Sequence, residues 1–101
     1  MPLRLFLLFL ISFWGNAQSP KETVVFQNGQ NGYQCYRIPA IVKAPNGDLL
    51  AFAEARRNNC GDFGDVEIVM KRSTDNGATW GNLQVVVDNG NDQAGTPAPV
   101  F

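Results

Sequence analysis

From Cys35 to Val87 the chain is a succession of short apolar-rich runs, each closed by turn residues, with no helical stripe of useful length. The runs are 35–43 (CYRIPAIVK), 49–56 (LLAFAEAR), 65–73 (DVEIVMKRS) and 83–87 (LQVVV). Between the first two, Ala44-Pro45-Asn46-Gly47-Asp48 carries the Pro and Asn-Gly that hairpin loops favour, and Thr74-Asp75-Asn76-Gly77 closes the third. Val66, Ile68 and Met70 share one face by the period of two, and Glu67 and Lys71 share the other. The alanines of 49–56 would permit a helix, but the lack of a helical stripe favours a strand. Short connections predict an up-and-down meander. Pro39 has no N–H to donate, so the first strand belongs at an edge. The expected fold class is all-β. One four-stranded sheet exposes too much apolar surface to stand alone. Sheets repeated around an axis, as in a propeller, would supply its neighbours. Upstream, Thr23–Phe26 is a candidate strand whose partners lie elsewhere, and Asn28-Gly29 and Asn31-Gly32 are turn signals.

Composition narrows the function. At 101 residues the chain holds one small domain at most. With 45% hydrophobic and 17% charged residues it is no disordered tail, collagen repeat or coiled coil. Its 8 basic and 9 acidic residues give no basic surface for nucleic acid. With no His and two Cys, neither a zinc site nor a Ser-His pair can be assembled from this chain alone. No metal and no cofactor are expected.

The first residues read as an address. Arg4 precedes the apolar run Leu5–Trp14, and Gly15-Asn16-Ala17 supplies a small-x-small cleavage site. This is the pattern of a signal peptide over 1–17, cut after Ala17. A membrane anchor is the alternative, but the run is shorter than the roughly 20 apolar residues a span needs, so no stable membrane span is expected. No Cys at the cut argues against a lipid anchor. Export is therefore expected, to a periplasm, an outer surface or the medium. It would place Cys35 and Cys60 where a disulfide can form. Two buried free thiols are the alternative.

Register locates the chemistry. A hairpin turning near Asn46 reflects Arg37 onto residue 55, beside Arg56. The loop 57–64, carrying Asp62, leaves from that same end. Cys35 reflects onto residue 57, close to Cys60, which favours the disulfide. The turn 74–77 falls at the opposite end. Two arginines on one rim suit a planar anion, because each guanidinium binds carboxylate or phosphate through two N–H groups. A carboxylate within reach could serve as general acid/base. The plainer alternative is a surface ion pair between Arg56 and Asp62, worth little.

These residues also carry a family resemblance. Tyr36-Arg37-Ile38-Pro39 resembles the Tyr/Phe-Arg-Ile-Pro motif of the exo-α-sialidases. Ser73-Thr74-Asp75-Asn76-Gly77-Ala78-Thr79-Trp80 matches the Asp-box pattern Ser-x-Asp-x-Gly-x-Thr-Trp. Leu50–Arg56, followed by Gly61-Asp62-Phe63-Gly64-Asp65, is similar to the family's second-arginine and catalytic-aspartate segment. The resemblance covers about residues 33–101, and the ordered set is more specific than any one motif.

The resemblance implies a six-bladed β-propeller with its active site near the axis, of which this chain holds about one blade. Residues 18–34 would be a lead-in, 35–88 the first blade and 89–101 the start of a second. It implies removal of terminal sialic acid from glycoproteins, glycolipids or oligosaccharides with retention of configuration, through a Tyr nucleophile. Arg37 would be the first of three arginines clamping the substrate carboxylate, and Arg56 an additional arginine near that site. Asp62 would be the general acid/base. Asp65 is its rival, less favoured because it begins a strand. Ser73, Asp75, Gly77 and Trp80 of the Asp box would be structural, with Trp80 packing between sheets. The family's nucleophile, its Glu partner and two later arginines have no counterpart here, and Tyr33 and Tyr36 do not fit the nucleophile's place. The chain thus resembles the N-terminal piece of a longer enzyme and is expected to be inactive by itself. A non-catalytic glycan-binding propeller and a trans-sialidase are the alternative functions.

Overall fold

A computed structural model describes residues 22–100. The expected leader over 1–17 lies outside the described residues. Strands β1 (Cys35–Lys43), β2 (Leu49–Arg56), β3 (Val66–Ser73) and β4 (Gln84–Val87) form one antiparallel sheet in the order β1-β2-β3-β4. The meander follows from the tight connections. At the first turn, Ala44 N–H donates to the Asp48 carbonyl (2.8 Å) and Gly47 N–H to the Ala44 carbonyl (2.9 Å). Gly47 takes φ 96°, where a Cβ would be strained. No helix among the described residues is long and apolar enough to cross a membrane.

β1 lies at an edge, as Pro39 demands. Near the turn, Lys43 pairs with Leu49 and Ala40 with Phe52, as reflection about residue 46 predicts. Beyond a bulge between Arg37 and Ala40 the register moves by one. Arg37 therefore faces Glu54, not residue 55, and Cys35 faces Arg56, not residue 57. Ile38 sits within that bulge at φ 55°, an uncommon conformation for a β-branched residue. A bulge re-aims the side chains beside it, and here Arg37 is the neighbour.

The two faces of the sheet are covered differently. On one, Ala53, Ala55 and Val69 form a buried cluster with Tyr33, and Phe26, Tyr36 and Leu83 pack against it. The small alanines let the lead-in lie close. Phe26 stacks on Tyr36 with ring centroids 5.3 Å apart, and Lys71 Nζ donates to the Val25 carbonyl at 2.7 Å. Residues 23–26 accordingly form no strand; their partners are side chains of this same sheet. The period of two sets Glu67 and Lys71 on the face opposite Val66, Ile68 and Met70; that face is covered here, and Glu67 is 2% exposed. On the opposite face the chain returns after β4. Gln93 bridges Val66 in parallel and Ala94 N–H donates to the Val66 carbonyl at 2.8 Å. Pro97 and Pro99 then line a cavity of about 200 Å³ with Phe52, Ile68 and Val86. Val85, Val86 and Val87 of β4 and Ile41 of β1 stay exposed, as an unaccompanied sheet leaves them.

Candidate active site

Strand pairing brings Arg37 and Arg56 to one end and one face of the β1–β2 hairpin. Arg37 faces Glu54, and Arg56, two residues on, faces Cys35. The loop after β2 folds back over this end. A Cys35–Cys60 disulfide closes it, with Cα atoms 5.2 Å apart. Arg56 Nη1 donates to the carbonyls of Cys60 (2.9 Å) and Gly61 (2.8 Å). Asn59 Oδ1 accepts the Gly61 N–H at 2.7 Å. The next residue, Asp62, then lies between the two arginines. Its Oδ1 is 3.1 Å from Arg56 Nη1 and 3.4 Å from Arg37 Nη1.

The three side chains differ in exposure. Asp62 is 72% exposed, Arg37 49% and Arg56 4%. Arg37 is the open fork, and Arg56 is a buried cation serving the loop. Burial of Arg56 is offset by Glu54, whose Oε1 lies 2.7 Å from Nη2 and which is itself 3% exposed. The hydrogen bond to Glu54 raises the Arg56 pKa above its usual value, desolvation opposes it, and Asp62 adds to the rise. Arg56 Nε is buried and has no hydrogen-bond partner among the described residues.

Asp65, the rival acid, is turned elsewhere. It lies 3.7 Å from Arg57 Nε, and its Oδ1 is buried without a partner among the described residues. Arg57 also meets Glu67 at 3.0 Å and covers the Tyr33 ring at 4.7 Å. The Tyr33 hydroxyl donates to Glu67. Burial first, and then that hydrogen bond, push the Tyr33 phenol pKa well above its usual range. Glu54, Arg57 and Glu67 were not singled out in the sequence. For Glu54 a signal existed: acid and base two apart on a strand share a face.

The Asp box is at the other end. Ser73 pairs with Leu49, whereas Arg56 pairs with Val66, a separation of about 24 Å along the strand at 3.4 Å per residue. Asp75 organises the turn. Its Oδ1 accepts from the Ser73 hydroxyl (2.8 Å) and the Thr79 N–H (2.9 Å), and its Oδ2 from the Thr79 hydroxyl. Ser73 Oγ accepts the Gly77 N–H at 2.8 Å. Asn76 and Gly77 take φ 60° and 91°. Thr79 first, then Ser73, lower the Asp75 pKa from 3.8 to about 2. Trp80 borders an open cavity with Arg72 and Thr79, its indole N–H buried without a partner among the described residues.

Residues 38–101 match the BNR repeat-like domain. The chain is 44% identical over 75 residues to an exo-alpha-sialidase of Arthroderma benhamiae and, to the same extent, to one of Aspergillus fumigatus. Each alignment covers 68% of this chain and 18% of the relative. A sialidase of Micromonospora viridifaciens is 48% identical over 59 residues, 58% of this chain and 9% of the relative. The chain thus spans less than a fifth of the length of these curated relatives. BNR repeats build the sialidase β-propeller, and the four-stranded sheet is a partial blade of it. The chain belongs to the BNR repeat-like family of the sialidases.

Proposed function

We propose that this chain is the first propeller blade of an exported exo-α-sialidase, and that Arg37, Asp62 and Arg56 form part of its active site. The observation that carries this is one exposed carboxylate set between two guanidiniums of unlike burial, on a loop fixed by a disulfide. A surface ion pair would not bury Arg56 to 4%. The substrate is a terminal sialic acid on a glycoprotein, glycolipid or oligosaccharide.

Chemistry follows from the geometry. Sialic acid carries a carboxylate on its anomeric carbon. Arg37 presents an open, planar fork to it. The contact between Arg37 and Asp62 is long and exposed, so an incoming carboxylate displaces it at little cost. Arg56 adds positive charge from beneath and holds the Asp62 loop. Asp62, exposed and adjacent, donates a proton to the leaving oxygen and then activates water. A carboxylate nucleophile would be repelled by the substrate's own charge, so a neutral Tyr suits the attack. That Tyr, its Glu partner and two further arginines would come from other blades. Asp65 is set against Arg57 and does not reach this position. The disulfide and the leader-like pattern of 1–17 support export.

The test is sialic acid release from an aryl sialoside by the full-length protein. Wild type is expected to release it, and Arg37→Ala to lose most of that activity. Binding of sialylated glycan without release would instead indicate a non-catalytic propeller. Transfer to an added glycan acceptor in preference to water would indicate a trans-sialidase.

A further inference from the structure

Glu54 is a buried carboxylate that no step above uses. It lies in the middle of the sheet, opposite Arg37 on one side and Ile68 on the other. Its two oxygens have separate tasks. Oε1 holds Arg56 Nη2 at 2.7 Å. Oε2 accepts the N–H of Thr96 at 2.8 Å. Thr96 belongs to the segment returning across the sheet, and its φ is 56°, a left-handed conformation uncommon for a β-branched residue. Beside it, Gly95 leaves no room for a side chain. A Cβ there would lie 2.9 Å from Glu54 Oε2 and 3.2 Å from Gln93 Nε2. The 95–96 segment is thus moulded on the Glu54 carboxylate.

We propose that Glu54 is a positioning residue that joins Arg56, and through it the Asp62 loop, to the 95–96 segment as one rigid rim. It rests on the sialidase reading of that rim. Only a carboxylate accepts at both oxygens; an amide of the same shape has one acceptor. Glu54→Gln therefore loses either Arg56 or Thr96, whichever way the amide turns. Arg56 is the cation that fixes the carbonyls of Cys60 and Gly61 immediately before Asp62. An Arg56 displaced from Glu54 leaves the acid misplaced, while Arg37 stays where β1 holds it. Gly95→Ala reaches the same end without altering any charge. Gly95 has no positive φ, so the contact with Glu54 is what the new methyl disturbs.

The experiment compares wild type, Glu54→Gln, Gly95→Ala, Asp62→Ala and the double variant Glu54→Gln/Asp62→Ala, all as full-length protein. Two substrates are used, a sialoside with a sugar leaving group and one with an aryl leaving group. Glu54→Gln and Gly95→Ala are expected to lose about tenfold or more in kcat on the sugar and much less on the aryl substrate, because a good leaving group needs little proton donation. Adding Glu54→Gln to Asp62→Ala should cost nothing further on the sugar substrate. Equal losses on both substrates, or additive losses with Asp62→Ala, would overturn the proposal and leave Glu54 a structural residue. Crystal structures of the two single variants provide a readout independent of activity. Arg56 parted from the Cys60 and Gly61 carbonyls, with the 95–96 segment rearranged, is expected; an unchanged rim overturns the proposal. If wild type releases no sialic acid from either substrate, the sialidase reading fails by itself, and the crystal structures decide the positioning role.

Discussion

Arg56 holds Asp62 through Nη1, the same nitrogen that donates to the carbonyls of Cys60 and Gly61, at 3.1, 2.9 and 2.8 Å. The exposed acid is therefore located by a buried cation. One guanidinium fixes both the path of the loop and the side chain that the loop presents.

Removal of that cation should be costly. Arg56→Met leaves the Glu54 carboxyl buried with no charge partner. Breaking a buried pair by removing one member typically costs about 3–5 kcal/mol. Urea unfolding of the full-length protein should show a loss of that order, together with loss of sialic acid release. A change within about 0.5 kcal/mol, as for ordinary surface substitutions, would mean the pair does not hold this end of the sheet.

The disulfide closes a loop with a sequence separation of 25 residues. Constraining a loop of that length in the unfolded chain contributes about 3.5 kcal/mol. Mass spectrometry of the protein, isolated without reduction, should yield one peptide joining Cys35 to Cys60. Two separately alkylated thiols would contradict the pairing.

The Asp75 turn should be acid-labile. Its carboxyl is held down to about 2 in the fold against an ordinary value of 3.8, chiefly by the bonds from Thr79 and Ser73. A depressed carboxyl stabilises the fold fully above its unfolded value, and that stabilisation is lost as pH falls through the folded value. The stability advantage of wild type over Asp75→Asn should therefore hold at pH 5 and shrink as pH falls from about 4 to 2. Denaturant midpoints measured across that range decide it. A constant difference would show that Asp75 does not hold the turn through its charge.

Tyr33→Phe removes the hydroxyl that donates to buried Glu67. Loss of a hydrogen bond to a buried charged group costs about 1.5–3 kcal/mol. The Tyr33 phenol is raised in the fold, so the stability it provides is present below pH 10, its ordinary value, and declines above it. The gap between wild type and Tyr33→Phe in denaturant midpoint should be open at pH 8 and narrow in stronger alkali. No gap at pH 8 would leave Glu67 dependent on Arg57 alone.

Much of this was legible in the residues, for local reasons. Period-two runs and Asn-Gly turns located all four strands within a residue, because turn chemistry and pleat are short-range. Pro39 gave the edge. The rim was legible because reflection about a tight hairpin is simple geometry. It erred by one residue where Ile38 adopts a positive φ, since no residue pattern announces a bulge at a β-branched position. The burial of Glu54 and Glu67 was not legible, because strand alternation says which residues share a face, not which face is covered. The covering comes from Tyr33 and Thr96, far along the chain, and no local signal records it.

The most direct test of Asp62 as the acid of this rim is the leaving-group dependence of Asp62→Ala in the full-length protein. Sugar and aryl sialosides would be compared side by side. The predicted result is a loss of kcat far larger on the sugar leaving group, about 10²–10⁴-fold for a positioned acid, with aryl sialosides much less affected. Equal losses on both substrates would contradict the assignment and return Asp62 to the role of an ion-pair partner for Arg56.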